Sequence, residues 1–163
     1  MQDAAAVSEF RVEKYRAEAV LTLSSGRTVA GCFFVASGSA RHAGRERVGD
    51  LLNSDAGFFP FEIRTDGRVE TVLFHRAHIV MVVLSENEAR RDPGYSIATP
   101  RAVSLLLSSG EPVIGGIRVY RPEGRDRLSD WACHGERFRY VETTEATIVV
   151  NLDHVLEARE VCR

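Results

Sequence analysis

The chain has 163 residues, of which 44% are hydrophobic and 27% charged, a mixture typical of a globular protein with one ordinary domain or two small ones. Its formal net charge of -2 excludes a global field that would draw the protein to nucleic acid or anionic lipid. The three cysteines are widely spaced and form no C-x-x-C motif, which excludes a disulfide framework, and no apolar run has the length of a membrane helix.

Arginine supplies nearly all of the basic residues, and Lys14 is the only lysine. This bias is typical of codon usage in a GC-rich genome, and we prefer that interpretation to selection for phosphate binding. The N-terminus has no basic region followed by an apolar core, so no secretion signal is expected. Together these features predict a cytoplasmic protein without a membrane partner.

Two pairs of similar blocks recur along the chain. "LTLSSGRTVAGC" begins at Leu21 and "LLLSSGEPVIGG" begins at Leu105, which lies 84 residues further on. "RVGDLLN" begins at Arg47 and "RLSDWAC" begins at Arg127, 80 residues further on. The blocks keep their order, and this pattern indicates an internal repeat.

Two further pairs follow in the same order. "FPFE" at Phe59 is similar to "FRYV" at Phe138, and "LFHRAHIVMV" from Leu73 is similar to "VVNLDHVLEA" from Val149. The separation has then fallen to 76 residues. It falls at polar or glycine-rich stretches, as changes in loop length between fixed elements would produce.

Each copy predicts the same series of elements. Two strands are joined by the Ser-Ser-Gly turn, a short helical turn follows, and three more strands complete the copy. Gly31 and Gly115 lie inside the second strand on its apolar side. A glycine at such a position marks a sharp bend or the close approach of a neighbouring backbone.

The predicted fold is therefore mostly β, with two tandem, pseudo-symmetric, small barrel-like units that each contain a short helical turn. A charged segment with the turn sequence Asp92-Pro93-Gly94 separates the copies and predicts no regular structure. The predicted divisions are an N-terminal arm, a first repeat, a linker and a second repeat: 1–16, 17–84, 85–100 and 101–163.

The final strands of the two copies differ in polarity. "IVMVVL", from Ile79 to Leu84, is apolar on both faces, which is typical of a strand buried inside a molecule or at an oligomer interface. "VLEAREV", from Val155 to Val161, carries three charges. Because charge discourages the addition of another strand, we expect this second segment at a sheet edge.

The opening of each copy, apolar-x-Leu-x-x-Gly-(x)4-Gly-x-apolar-x-Val, resembles the first sequence motif of Sm-like domains, and the final hairpin is loosely similar to their second motif. The resemblance implies a small, strongly bent β-barrel and RNA binding. The family's RNA-contacting aspartate has no clear counterpart here, and its closing Arg-Gly is replaced by His75-Arg76 and Asn151-Leu152. These departures weigh against RNA binding more than against the fold. "RVGDLLN" and "RLSDWAC" also resemble uncharacterised bacterial domains with an R-x-S-D-x-L-N segment.

No residue pattern predicts catalysis, a metal or a cofactor. Zinc would have histidine ligands available at His75, His78, His134 and His154. However, His78 and His154 occupy corresponding positions, which favours a structural role such as hydrogen bonding to the turn. Arg-x-x-Asp occurs at the start of each helical turn, where a salt bridge explains the spacing. The Ser-Ser-Gly turn joins two strands and lacks the context of a nucleophilic serine.

Two sets of residues are candidates for binding. The second copy interleaves arginines with aromatic residues, a combination found in nucleic-acid sites and in protein-binding rims; acidic neighbours favour the latter. These candidates are Arg118, Arg121, Arg125, Arg127, Trp131, Arg137, Phe138, Arg139 and Tyr140. Apolar residues of the first copy are either core or a possible interface, and these are Phe58, Phe59, Phe61, Ile79, Met81 and Val83.

The sequence thus favours a non-enzymatic protein-interaction or scaffold module with a regulatory role in a bacterial cytoplasm. Its expected partner is a protein, and a homo-oligomer is also compatible with the apolar strand. An Sm-like nucleic-acid-binding protein is the alternative.

Overall fold

The computed structural model describes residues 14–39 and 42–162. Most of the N-terminal arm predicted over residues 1–16 lies outside the described residues. Its last three residues belong to the first strand.

Both halves of the chain contain the predicted series of elements. The first half comprises β1 (Lys14–Leu23), β2 (Thr28–Ala36), α1 (Val48–Ser54), β3 (Phe58–Thr65), β4 (Arg68–His75), a 3-10 turn (Arg76–His78) and β5 (Ile79–Leu84). The second half comprises β6 (Thr99–Leu107), β7 (Pro112–Val119), α2 (Leu128–Cys133), β8 (Phe138–Glu142), β9 (Thr147–Asn151), a 3-10 turn (Leu152–His154) and β10 (Val155–Glu160).

The ten strands form one antiparallel sheet in the order β10-β6-β7-β8-β9-β5-β1-β2-β3-β4. The mostly β architecture is confirmed. The sheet is open, with β4 and β10 as its edges. The strand pairing therefore does not form the two closed barrel-like units that the sequence predicts. The reason is that β5 pairs with the other half instead of returning to the far edge of its own half.

The two halves meet where β5 pairs with β9, with Met81, Val82 and Val83 opposite Val150, Val149 and Ile148. We call this pairing and the contacts around it the central junction. Of the two locations expected for the apolar strand β5, inside the molecule or at an oligomer interface, the structure shows the first, since β5 pairs with β1 on its other side. The charged strand β10 lies at an edge, as expected.

Two hydrophobic cores, one for each half, exchange residues across the central junction. In the first core, Phe33 stacks on Phe59 with ring centroids 5.3 Å apart. That core also takes Phe138 and Val149 from the second half, and Val80 of the first half packs into the second core. Each half therefore completes the burial of the other.

Gly31 and Gly115 lie where a neighbouring backbone comes close, as predicted. A Cβ built on Gly31 would lie 2.1 Å from the carbonyl oxygen of Glu62. A Cβ built on Gly115 would lie 2.6 Å from the carbonyl oxygen of Glu142. Neither space admits a side chain without movement of β3 or β8.

Two details of the sequence interpretation need correction. Residues 85–100 were expected to have no regular structure, but they contain a 3-10 helix (Glu88–Arg91) in which Glu88 is buried, and β6 begins at Thr99. The block alignment of Phe59 with Phe138 is also displaced by one residue. Phe58 pairs with the last residue of β4 and Phe138 pairs with the last residue of β9, so Phe58 and Phe138 correspond. The sequence by itself does not separate the two alignments, because Phe58 and Phe59 are adjacent and either can be matched to Phe138.

Candidate functional site

A cavity of about 330 Å³ lies beside the central junction. Its wall includes α1, the end of β7, α2, β8 and the segment between the halves. Six of the nine arginine and aromatic residues that the sequence singles out line it: Arg118, Arg121, Trp131, Phe138, Arg139 and Tyr140. We call this the junction cavity.

Arg47 and Asp50 form the ion pair expected at the start of α1. Arg47 Nε donates to Asp50 Oδ2 and Arg47 Nη2 donates to Asp50 Oδ1, both at 3.0 Å. His42 Nε2 lies 2.6 Å from the same carboxylate. Burial by itself raises the pKa of Asp50, but the hydrogen bonds from Arg47 and His42 outweigh burial and hold that pKa below its usual value.

Tyr140 joins the second half to α1. Its hydroxyl donates to Glu88 Oε2 at 3.0 Å and accepts from the backbone N–H of Gly49 at 3.1 Å. Glu88 Oε2 also accepts from the backbone N–H of Val48 at 2.9 Å. Burial raises the pKa of Glu88, and these two donors oppose only part of that effect. Burial and the charge of Glu88 raise the pKa of Tyr140 above its usual range, so the hydroxyl stays protonated.

Glu88→Gln and Asp50→Asn should alter the pH dependence of stability in opposite senses. The folded-state pKa of Glu88 lies above its unfolded value, about 4.3. Its stabilising contribution is therefore present below that value and lost as pH rises through the folded-state pKa. The folded-state pKa of Asp50 lies below its unfolded value, about 3.9. Its contribution is present above that value and lost as pH falls through the folded-state pKa.

Urea unfolding of the wild type and both variants across acidic to neutral pH measures these differences. The stability of the wild type relative to Glu88→Gln should fall as pH rises, and its stability relative to Asp50→Asn should fall as pH drops. Parallel curves for the three proteins would contradict the assignment of the two buried carboxyls. The comparison is internal, because each variant keeps the other carboxyl.

Arg118 lines the side of the junction cavity next to β7 and is held in place by Tyr95. The Cζ of Arg118 lies 4.0 Å from the ring centroid of Tyr95, and its Nη1 donates to the Tyr95 carbonyl at 3.2 Å. The Tyr95 hydroxyl donates to the Glu142 carboxylate at 2.7 Å. The segment between the halves is thereby fixed to both β7 and β8.

Arg139 and Trp131 form the opposite side of the junction cavity. The Cζ of Arg139 lies 5.5 Å from the ring centroid of Trp131, and its guanidinium donates to the carbonyls of His134 and Glu136. Burial lowers the pKa of Arg139. Arg121 also lines the cavity and is exposed, and within the described part of the chain it forms no hydrogen bond or ion pair.

Three arginines of the predicted set lie away from the junction cavity. Arg125 is exposed on the loop before α2. The salt bridge expected between Arg127 and Asp130 at the start of α2 does not form among the described residues, where only the backbone N–H of Arg127 donates to Asp130, at 3.0 Å. Arg137 pairs with Asp153 on the surface at 3.0 Å. The structure thus divides the predicted face into a cavity-lining group and these three outer arginines.

Sequence reasoning missed Asn53, Glu88 and Tyr95. Asn53 Nδ2 donates to the carbonyl of Phe138 at 2.9 Å, and the backbone N–H of Phe138 donates to Asn53 Oδ1 at 2.9 Å. Asn53 ends the repeated block "RVGDLLN", and the corresponding residue of the second copy is Cys133. That difference between the copies was the only sequence signal for Asn53. Glu88 and Tyr95 gave no signal, because they lie in the charged segment interpreted as a linker.

The apolar candidates for an interface divide by burial. Phe59, Phe61 and Ile79 are buried in the first core. Met81 and Val83 are half-buried against the second core. Phe58 is 62% exposed at the start of β3 and is the member of this set that presents most of its surface to solvent.

The histidines that precede β5 and β10 have the structural role expected of them. His78 Nδ1 lies 3.0 Å from Ser24 Oγ, and His154 Nδ1 lies 2.9 Å from Ser108 Oγ. Each histidine is therefore hydrogen bonded to the Ser-Ser-Gly turn of its own half. In residues 14–39 and 42–162, no three His, Cys, Asp or Glu side chains are grouped so as to hold a metal ion.

Comparison of the chain with protein-family models, with curated proteins and with solved structures finds no match. Across the described residues, neither helix has the length and apolar character that crossing a membrane requires. The functional interpretation therefore depends on the junction cavity and the surfaces of the sheet.

Proposed function

We propose that the protein is a non-enzymatic interaction module, cytoplasmic and of scaffold or regulatory type, that binds a protein partner over the junction cavity. The observation that carries this proposal is the convergence of Arg118, Arg121, Arg139 and Trp131 on one cavity between the two halves. Arginine and tryptophan are the residue types over-represented at the energetic centres of protein interfaces. The cavity offers room for one or two side chains of a partner.

The charge of the junction cavity favours a protein over a nucleic acid. Four arginines line it together with five carboxylates: Asp50, Asp92, Asp130, Glu136 and Glu142. A phosphate backbone binds by displacement of counterions from a net positive surface, which this wall does not provide. A protein surface with both signs of charge matches it better.

Two tandem Sm-like units remain the proposed ancestry of the fold. The shared order of elements and the close approach at Gly31 and Gly115 support it. Binding of single-stranded RNA is the alternative function that such ancestry would imply. The observation that favours it is the group of three outer arginines on the surface, because guanidinium groups bind phosphates and stack on unpaired bases.

Capture of partners by Arg121→Glu and Arg125→Glu tests the proposed function. Both changes reverse one exposed arginine charge, but only Arg121 lines the junction cavity. Bait protein is incubated with nuclease-treated extract of the source organism, and bound polypeptides are quantified by mass spectrometry. We expect a partner that the wild type and Arg125→Glu retain and that Arg121→Glu loses at least tenfold.

Fluorescent single-stranded RNA and DNA, titrated at low and moderate salt, provide the opposing measurement. Submicromolar binding that weakens steeply with salt would overturn the proposal and promote the nucleic-acid function. A partner that Arg125→Glu loses and Arg121→Glu retains would place the binding site at the outer arginines and away from the cavity.

A further inference from the structure

The two ends of the sheet repeat the two surfaces that meet at its centre. At the central junction, β5 of the first half pairs with β9 of the second half. At the ends, β4 has the position in the first half that β9 has in the second, and β10 has the position in the second half that β5 has in the first. The edge strand β4 therefore corresponds to the β9 side of the central junction, and the edge strand β10 corresponds to its β5 side.

Burial identifies the β4 end as the equivalent of the β9 side. Phe138, the first residue of β8, and Val149, two residues before the end of β9, are 3% and 0% exposed because they pack into the first core. Phe58 and Leu73 occupy the same places in β3 and β4, and each is 62% exposed. Exposed apolar residues at such positions mark an unfilled interface.

Burial identifies the β10 end in the same way. Val80 is skipped in the pairing of β5 with β1, and it packs into the core of the other half with 0% exposure. Leu156 is skipped in the pairing of β10 with β6, and it is 67% exposed. In both strands the second residue is left out of the pairing with its own half. Val80 packs against the neighbouring half, whereas Leu156 is exposed.

One hydrogen bond between the 3-10 turns crosses the central junction, and the repeat contains a second pair of the same groups. His154 Nε2 lies 2.7 Å from the carbonyl oxygen of Ala77 across the junction. The corresponding groups in the repeat are His78 Nε2 and the carbonyl of Asp153, and among residues 14–39 and 42–162 they make no such bond to each other. His78 Nδ1 is held by Ser24 in the same manner as His154 Nδ1 is held by Ser108, so the ring is already oriented.

We propose that the protein associates head to tail with further copies of itself, with β4 of one molecule pairing with β10 of the next. The two surfaces differ, so the contact is heterologous and extends as a closed ring or as a filament. By the register of the central junction, Ala158 of β10 lies opposite Leu73 of β4. Leu156 and Phe58 then become buried, and the two edge strands are no longer exposed.

The contact between molecules is weaker than the central junction inside each one. Asn53 and Tyr140 make hydrogen bonds across the central junction, but Cys133 and Pro60 replace them at the ends and cannot make the same bonds. His75 replaces Asn151 and keeps its acceptor role towards the backbone two residues on, but it lacks the amide group that donates to Ile79. Strand β10 also carries Glu157 and Arg159. Association should therefore depend on protein concentration and should not be permanent.

Complementation of two surface variants tests the proposal. Leu156→Asp destroys the β10 surface and leaves the β4 surface intact, whereas Leu73→Asp does the reverse. Sedimentation velocity from micromolar to millimolar concentration should show the mean mass of the wild type rising and each variant remaining monomeric. An equimolar mixture of the two variants should form a dimer and nothing larger, because one intact surface of each kind remains.

Ile97→Asp is the matched control, because Ile97 is an exposed apolar residue outside both surfaces. It should associate as the wild type does, and circular dichroism checks that all variants are folded. A wild type that stays monomeric over the whole range would overturn the proposal. So would either single variant that associates alone, since that outcome requires a contact of identical surfaces, and so would a mixture that remains monomeric. The result does not depend on the junction cavity and is separate from the test of the proposed function.

Discussion

Gly31→Val should destabilise the protein by about 3 kcal/mol, the upper part of the range for overpacking a core. The first atom of any side chain at Gly31 would lie 2.1 Å from the carbonyl oxygen of Glu62 and 2.6 Å from Phe61 Cε1. A backbone oxygen cannot rotate away as a side chain can, so β2 and β3 must separate and the ring packing of Phe61 with Phe33 must loosen. Chemical denaturation with fluorescence detection measures the loss.

Gly38→Val is the matched control for Gly31→Val. Among the described residues, no atom lies within 4 Å of a Cβ built on Gly38, and its backbone lies outside the left-handed region that favours glycine. Its stability should change by less than about 0.5 kcal/mol, as is usual for a surface substitution. Equal stabilities of the two variants would show that the close approach of β3 to Gly31 is wrong.

Asn151→Asp should cost about 3 kcal/mol at neutral pH, because it places a carboxylate in a fully buried site opposite a carbonyl oxygen. Asn151 is fully buried at the end of β9. Its Nδ2 donates to the carbonyl of Ile79 across the central junction at 2.9 Å, and its Oδ1 accepts from the N–H of Asp153 at 3.0 Å. An aspartate keeps the acceptor but loses the donor as soon as it ionises.

The pH dependence distinguishes this cause from simple misfolding. A protonated aspartic acid at position 151 restores the donor, so the loss of stability should shrink as pH falls towards the usual pKa of about 3.9. Asn87→Asp makes the same change at an exposed position and should have little effect at any pH. A destabilisation by Asn151→Asp that is independent of pH would contradict the hydrogen bond to Ile79.

The series of strands and helical turns in each half was predictable from the sequence because it depends on local signals. Alternation with period two marks the strands, and a glycine-containing turn joins them. The roles of Gly31 and His78 were also accessible, since each recurs at a corresponding place in the second copy and so pointed to a structural cause. These inferences need only neighbouring residues and one repeat.

The strand order, the junction cavity and the open ends were decided by the tertiary structure. The apolar sequence of β5 was compatible with burial inside the molecule or at an oligomer interface. Its pairing with β9 shows that β5 lies inside the molecule. Asn53 and Glu88 act on groups 85 and 52 residues away, at Phe138 and Tyr140. Contacts of this kind carry no local periodicity, so polarity and spacing in the sequence do not reveal them.

The same limit explains why the predicted binding residues were only partly grouped. Sequence proximity united Arg121 and Arg125, but the loop between them leaves the cavity after Arg121. Conversely, Arg47 lies far along the chain and still lines the same wall. Side-chain type indicates which chemistry is present, whereas the pairing of distant strands determines which side chains face one space. For this protein the sequence by itself determined the elements of each half, and the tertiary structure determined the surface that the two halves make together.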